Sequence, residues 1–184
     1  AYNLAPKGMV LKMCLGDKKN STKIEKFTKE KLKKKSKFFL NTNQQKSLEK
    51  LDFIKSITPD LEATSFKLEF KDDAFVDFDL IQEKVEDAGF FVGSIEIVFN
   101  DNLKAENDEH NLINENLFHI FSDQNVETNV FTLVDKNFIR KKDYEIILGK
   151  TSHSCYETGV HTASCCSKHD NLKSNKVFHL KSSL

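Results

Sequence analysis

The side chains best suited to chemistry are concentrated near the C-terminus. Residues 151–180 hold most of the cysteines and histidines of the chain: His153, Cys155, His161, Cys165, Cys166, His169 and His179. Thiolate and imidazole are the protein ligands that Zn²⁺ and Cu⁺ prefer. The segment therefore predicts a metal site, although its spacing matches no standard zinc finger.

A specific ligand set follows from the spacing within this segment. We predict that the metal ligands are Cys155, His161, Cys165 and Cys166, with His169 or His153 as alternates. Gly159 lets the chain bend between the first cysteine and His161, and the step from there to the adjacent cysteines is short. Three thiolates with one imidazole form an ordinary Zn²⁺ set, whereas two or three thiolates alone suit Cu⁺.

The same cysteines support two other interpretations. Cys155 can pair with Cys165 or Cys166 in a disulfide, closing a loop of about ten residues worth roughly 2–3 kcal/mol. The cluster can also be an incidental part of a flexible tail. A thiol enzyme is less favoured, because no base is positioned by the sequence and no Cys-x-x-Cys pair occurs.

Composition indicates a folded protein without a membrane-spanning helix. The chain has 184 residues, of which 39% are apolar and 30% charged, and its net charge is zero. No stretch approaches the roughly 20 apolar residues that a bilayer requires. The compartment stays open between cytoplasmic and extracytoplasmic. Membrane attachment would require lipidation at Cys14, where Lys12 and Met13 replace the small residues of a lipoprotein cleavage site.

A lysine-rich run covers residues 17–37, with ten lysines against three acidic residues. It contains a single aromatic residue, Phe27, and no arginine, so base stacking and bidentate base contacts are poorly served. We therefore expect a solvated tether or surface helix and no nucleic-acid partner.

Hydrophobic periodicity predicts the elements that would carry the site. We expect strands at 38–40, 54–57, 66–70 and 91–99, and helices at 44–51 and from Asp77 or Asp79 to Gly89. Their predicted core is Leu48, Leu51, Phe66, Leu68, Phe70, Ile81, Val85 and Ile95. This order of elements predicts an α+β fold, with a ferredoxin-like βαββαβ sandwich over residues 37–99.

The rest of the chain is assigned around that sandwich. Residues 1–36 are predicted to be a polar leader with a helix near 21–35, and residues 100–116 a linker. Residues 117–184 are predicted to form a small β-rich extension with a Cys/His-rich loop. Its expected elements are strands at 117–121, 130–134 and 177–180 and a helix at 141–148. His119 is expected to face solvent or to be satisfied at the sheet edge, in preference to binding a metal.

Residues 53–90 also carry a family resemblance. The run Ile81, Val85, Glu86, Asp87, Ala88, Gly89 and Phe90 resembles the end of the second helix in heavy-metal-associated domains, and the similarity extends over about residues 37–98. The resemblance implies a ferredoxin-like domain of metal-trafficking ancestry. That family binds metal through a Cys-x-x-Cys pair, and residues 40–45 contain no Cys, His or Met, so none of its ligands carries over.

These observations favour a non-enzymatic function. We expect a metal-binding or metal-homeostasis protein, loaded with Zn²⁺ or Cu⁺ at its C-terminal cysteines and histidines, with the metal-associated domain as a scaffold. Its expected partners are the metal ion and another metal-handling protein. The alternative is an extracytoplasmic interaction module whose C-terminal cysteines form disulfides.

Overall fold

A computed structural model describes residues 9–17, 43–60, 62–63, 65–162, 165 and 172–182. The helix expected near 21–35 and the strand expected at 38–40 lie outside these residues. The strands are β1 (Met9–Asp17), β2 (Ile54–Asp60), β3 (Ser65–Phe70), β4 (Phe90–Ala105), β5 (Glu109–Ile113), β6 (Asn116–Phe121), β7 (Val126–Leu133) and β8 (Val177–Ser182). The helices are α1 (Asn43–Leu48), α2 (Phe78–Asp87), α3 (Lys141–Leu148) and α4 (Cys155–Thr158).

All eight of these strands belong to one mixed sheet, in the order β2-β3-β1-β4-β7-β8-β6-β5. Neighbouring strands are antiparallel except for the parallel pair β6 and β8. The predicted small ferredoxin-like sandwich with a separate extension is therefore wrong, because the sheet continues without a break from one half of the chain into the other.

The first cause of this error is strand β1, which lies in the segment predicted to be a polar leader. Met9, Leu11 and Met13 are buried, whereas Lys12 between them is exposed. This alternation is that of a strand with one face on a core. β1 pairs with β3 on one side and with β4 on the other.

The second cause is the length of β4, which has 16 residues and runs through the start of the predicted linker. Its later part, from Leu103 to Ala105, pairs with residues 126–128 at the start of β7. Strand β5 follows within the same predicted linker. Polar residues there alternate with buried ones such as Ala105 and Ile113, which is why composition alone predicts a linker.

Several local predictions are confirmed. The helices at 44–51, 77–89 and 141–148 correspond to α1, α2 and α3, and the strands at 54–57, 66–70, 117–121 and 177–180 correspond to β2, β3, β6 and β8. Asp77 caps α2 through hydrogen bonds accepted from two backbone N–H groups. Every residue of the predicted core is buried. None of the helices in the described part of the chain has the length and apolar character needed to cross a bilayer.

Side-chain contacts from Asn116 and Lys176 hold the start of α2. The buried side-chain amide of Asn116 donates to the Val76 carbonyl at 2.8 Å and accepts from the Val76 N–H at 2.9 Å. Lys176, just before β8, binds Asp77 at 2.9 Å and Asp79 at 3.0 Å. The start of α2 is thereby fixed to the strands that carry the site.

Strands β6 and β8 are buried on both faces. On one face Phe118, Ile120, Phe178 and Leu180 join the main core. On the other face Leu117 and Val177 pack with Cys155 of α4. A parallel strand pair covered on both sides is expected to be nearly continuously apolar, so the histidine that each of these strands carries on the α4 side stands out.

Candidate metal centre

Three histidines form a row across neighbouring strands. His110 of β5 is the register partner of His119 of β6, and His119 is the register partner of His179 of β8. The ring centroids lie 4.2 Å apart for the first pair and 5.3 Å apart for the second. Register partners place their side chains on the same face of a sheet, so strand pairing alone brings the three imidazoles together.

The short helix α4 places a thiol over this row. Cys155 Sγ lies 3.3 Å from His119 Nδ1 and 3.5 Å from His110 Nε2. Cys155 and His119 are both fully buried. Gly159 ends α4 with φ +67°, which produces the predicted bend after Cys155. The backbone N–H of Gly159 donates a hydrogen bond to the Cys155 carbonyl at 2.7 Å.

Asp108 orients the central imidazole. Its Oδ1 lies 3.1 Å from His119 Nε2. An ionised carboxylate only accepts hydrogen bonds, so we assign the proton of neutral His119 to Nε2. Nδ1 then keeps its lone pair and presents it to Cys155. A carboxylate on the far nitrogen is the usual support for a metal-binding histidine. Asp108 itself has φ +60°, a conformation that Asp and Asn tolerate better than most residues.

Burial keeps His119 neutral. It lowers the pKa of His119 to about 2, and the neighbouring imidazoles of His110, His179 and His153 act in the same direction. A histidine must be deprotonated to bind a metal ion. At neutral pH the ring is therefore already in the form that ligation requires.

A second thiol and imidazole lie at the margin of the cluster. His153 Nδ1 is 3.0 Å from the Cys165 carbonyl and 3.6 Å from Cys165 Sγ. Burial opposes charge on both side chains, but hydrogen bonding prevails. It raises the pKa of His153 through its contacts with Cys165, and it lowers the pKa of Cys165 to about 6 through donors that include the Cys155 backbone, Ser154 and His153.

His179 resembles His119 but has different neighbours. Its Nδ1 lies 2.6 Å from Asp135 Oδ1, and its backbone N–H donates to the other carboxylate oxygen at 2.9 Å. Around the ring stand Phe121 and Tyr156, with centroids at 6.0 and 5.0 Å. His179 Nε2 is buried and has no hydrogen-bond partner among the described residues.

The sequence-predicted ligands are only partly brought together. Cys155 and His153 belong to the cluster, and Cys165 touches it. His161 is described, but neither candidate ligand group includes it. Cys166 and His169 lie outside the described residues.

Sequence reasoning missed half of the cluster. His110, His119 and Asp108 come from the segment predicted to be a linker and from the strand after it. The expectation that His119 faces solvent or a sheet edge is wrong, because the side chain is fully buried. One available signal was the polar residue at the centre of Leu117–Phe121, since an imidazole inside an otherwise apolar strand must find a partner.

The described residues thus contain two groups that could hold a metal ion. One consists of His110, His119 and Cys155, and the other of Asp108, His119 and His153, each with its ligand atoms within 4.8 Å of one another. Both groups include His119. Nothing in the arrangement itself identifies the ion.

Comparison with known proteins adds no relative: no family model matches the chain, and neither the curated proteins nor the solved structures give a significant match. The interpretation of the cluster therefore depends on its own geometry.

Proposed function

We propose that this chain is a metal-binding protein that holds Zn²⁺ through His110, His119 and Cys155. The distances from Cys155 Sγ to the two imidazole nitrogens, 3.3 and 3.5 Å, carry the proposal. With Zn–S near 2.3 Å and Zn–N near 2.0–2.1 Å, a tetrahedral ion separates a sulfur from a nitrogen ligand by about 3.5 Å. Both distances therefore suit ligands of one ion.

The surroundings also suit a cation. The imidazoles of His110, His119 and His153 share a largely buried space with the thiol of Cys155, whose sulfur already contacts nitrogens of His119 and His110. A metal ion between the lone pair of His119 and the sulfur of Cys155 would take the place of the hydrogen bond that joins them. Asp108, behind His119, would supply part of the compensating negative charge.

His153 is the best candidate for a fourth ligand. Its ring centroid lies 4.8 Å from that of His119 and 5.4 Å from that of His110. Its Nδ1 faces the Cys165 carbonyl, which only accepts, so Nδ1 carries the proton and Nε2 keeps a lone pair. One thiolate with imidazoles favours Zn²⁺, whereas Cu⁺, the alternative cargo, would use Cys155 together with Cys165.

We further propose that the site serves metal storage or homeostasis and not catalysis. Cys155 and His119 are fully buried, which suits holding an ion better than presenting it to a substrate. The site lies outside residues 37–98, so the resemblance of that segment to heavy-metal-associated domains stays a separate prediction, as does a metal-handling partner protein.

A thiol-dependent enzyme is the second candidate. The His119 imidazole lies between a thiol and a carboxylate, 3.3 Å from Cys155 Sγ and 3.1 Å from Asp108 Oδ1. This is the order of groups in a nucleophile–base–carboxylate triad. The surroundings of the thiol weigh against it. Cys155 is fully buried, and the burial that lowers the pKa of His119 disfavours the protonated imidazole that a general base must become.

The test is a titration of the metal-free, reduced full chain with Zn²⁺ against a chromophoric chelator. We expect one ion per chain, and we expect Cys155→Ser and His110→Asn to lose tight binding because each removes a ligand. Co²⁺ in place of Zn²⁺ should show a sulfur-to-metal charge-transfer band that Cys155→Ser abolishes.

His161→Asn is the matched control, because it removes a histidine of the same segment that lies outside both ligand groups. It should bind Zn²⁺ like the parent chain. If His161→Asn loses the ion while His110→Asn keeps it, the ligand set is the one predicted from spacing and this proposal is wrong. Thiol-ester hydrolysis by metal-free protein that Cys155→Ser abolishes would favour the enzyme.

A further inference from the structure

A second thiol lies directly against the ligand thiol. Cys165 Sγ accepts a hydrogen bond from the Cys155 backbone N–H at 3.3 Å, and the two thiol groups also interact with each other. Neither cysteine forms a disulfide. They share a small apolar cluster with Leu117 and Val177, which keeps them together.

The two thiols differ in exposure. Cys155 is fully buried, whereas Cys165 is only partly buried. An oxidant dissolved in water therefore reaches Cys165 first. Once Cys165 is oxidised, the nearest thiol available to resolve it among the described residues is Cys155, which is also the sulfur ligand of the proposed metal site.

We propose that Cys155 and Cys165 form a reversible disulfide that removes Cys155 from the metal and releases the ion. This inference rests on the proposed function and adds its regulation. A disulfide sulfur is no longer a thiolate, and the thiolate is the form that binds metal. Losing it would leave His110 and His119 as the remaining ligands of that set.

The chemistry balances with a hydroperoxide as oxidant. The Cys165 sulfur attacks one peroxide oxygen, the O–O bond breaks, an alcohol or water leaves, and a sulfenic acid remains. The Cys155 sulfur then attacks the Cys165 sulfur. The S–S bond forms, the S–O bond breaks, and hydroxide leaves with a proton as water. The two thiols lose two electrons and two protons in total. Two equivalents of a small thiol return both cysteines to the reduced state.

The test uses the full chain, reduced and loaded with Zn²⁺, and then treated with hydrogen peroxide. Released Zn²⁺ is followed with a chromophoric chelator, and disulfides are mapped by mass spectrometry after blocking free thiols. We expect a peptide linking Cys155 to Cys165, one ion released per disulfide, and recovery of Zn²⁺ binding after dithiothreitol.

Four single variants make the test specific to Cys165. Cys165→Ser should bind Zn²⁺ like the parent but lose peroxide-driven release, and Cys165→Ala checks this result if the serine variant folds poorly. Cys14→Ser and Cys166→Ser, the matched controls, should release like the parent. A disulfide mapped to Cys166, or unchanged release from Cys165→Ser, would overturn the proposal.

Failure of this inference is distinguishable from failure of the proposed function. If the reduced chain binds no Zn²⁺, the metal site is wrong. The mapped disulfide in metal-free protein still decides whether Cys155 and Cys165 are redox partners.

Discussion

Two histidines at matching positions on adjacent parallel strands each pair with an aspartate, yet only one of them belongs to the residue groups that could hold a metal ion. His119 pairs with Asp108, and His179 pairs with Asp135. Both rings are fully buried. Around His119 stand the thiol of Cys155 and the imidazoles of His110, His153 and His179. Phe121 contacts both rings, and the other neighbours of His179 are Tyr156 and His119.

A carboxylate partner does not by itself make a histidine a metal ligand. Asp108 and Asp135 both contact a ring nitrogen within 3.1 Å. What differs is the other side of the ring: a sulfur 3.3 Å from His119 Nδ1, but no hydrogen-bond partner at His179 Nε2 among the described residues. We interpret the first pair as a ligand with its support and the second as a structural pair that fixes β8 to the segment after β7.

Replacing each of the two histidines by asparagine should give the largest difference in Zn²⁺ affinity. A structural Zn²⁺ site is worth about 10–16 kcal/mol, so losing one of four ligands should weaken binding by roughly a hundredfold to a thousandfold. We expect this for His119→Asn. His179→Asn should keep an affinity close to that of the parent chain and lose folding stability. Chelator competition and urea unfolding measure the two effects. Equal loss of affinity in both variants would erase the distinction.

Changing the two carboxylates should give a smaller contrast. Asp108→Asn keeps a residue that tolerates positive φ but replaces the charged, acceptor-only carboxylate with a neutral amide that can also donate, so the His119 tautomer is no longer fixed. Changes of this kind behind a ligand cost about 10–100-fold in metal affinity. Asp135→Asn disturbs two hydrogen bonds to a fully buried histidine and should cost about 1–3 kcal/mol of unfolding free energy.

The two aspartate variants should differ in which property falls, Zn²⁺ affinity or the urea midpoint. Asp108→Asn should lower Zn²⁺ affinity with little change in the urea midpoint, because the Asp108 side chain is one-third exposed. Asp135→Asn should lower the midpoint and leave affinity nearly unchanged. A lower midpoint for Asp108→Asn alone would assign it a structural role and weaken the metal proposal.

The sequence predicted the local elements better than their assembly. Asp77, Gly89 and the spacing of Ile81 and Val85 define α2 through capping and helical periodicity, which are local properties. The single sheet depends on strand pairing over long sequence distances. The residues Met9–Asp17 do not indicate that this strand lies between β3 and β4. The lysine-rich run that follows makes the alternation of buried and exposed residues in β1 hard to recognise.

The residues of the candidate site also differ in whether local sequence or long-range strand pairing brings them together. Cys155 and Cys165 were accessible to sequence reasoning because sulfur ligands are rare and clustered. His110 and His119 were not, since they become neighbours only through the register of β5 and β6. Asp108 appeared to be one polar residue among many in a segment rich in Asn and Glu.

The smallest expected effect is the contribution of His119 to the pH dependence of the metal-free fold. Its pKa is lowered to about 2 by burial and by the neighbouring histidines, against about 6.5 in an unfolded chain. Between these two pH values the His119 imidazole is protonated in the unfolded chain and neutral in the folded chain. Folding stability from this group is therefore fully present above about pH 6.5 and falls as the pH drops, by at most about 1.4 kcal/mol per pH unit.

The measurement compares urea unfolding at pH 7 and pH 5.5 with a chelator present. We expect the parent chain to lose about 1 kcal/mol over this range from His119. The raised pKa of His153 acts in the opposite sense and offsets part of the loss, whereas the pKa of Cys165, lowered to about 6, adds to it. His119→Asn removes only the first contribution, so its stability should vary less with pH, whereas His161→Asn should follow the parent chain. If His119→Asn and the parent have the same pH slope, His119 is not held neutral in the fold, and the ligand-ready state inferred for it is wrong.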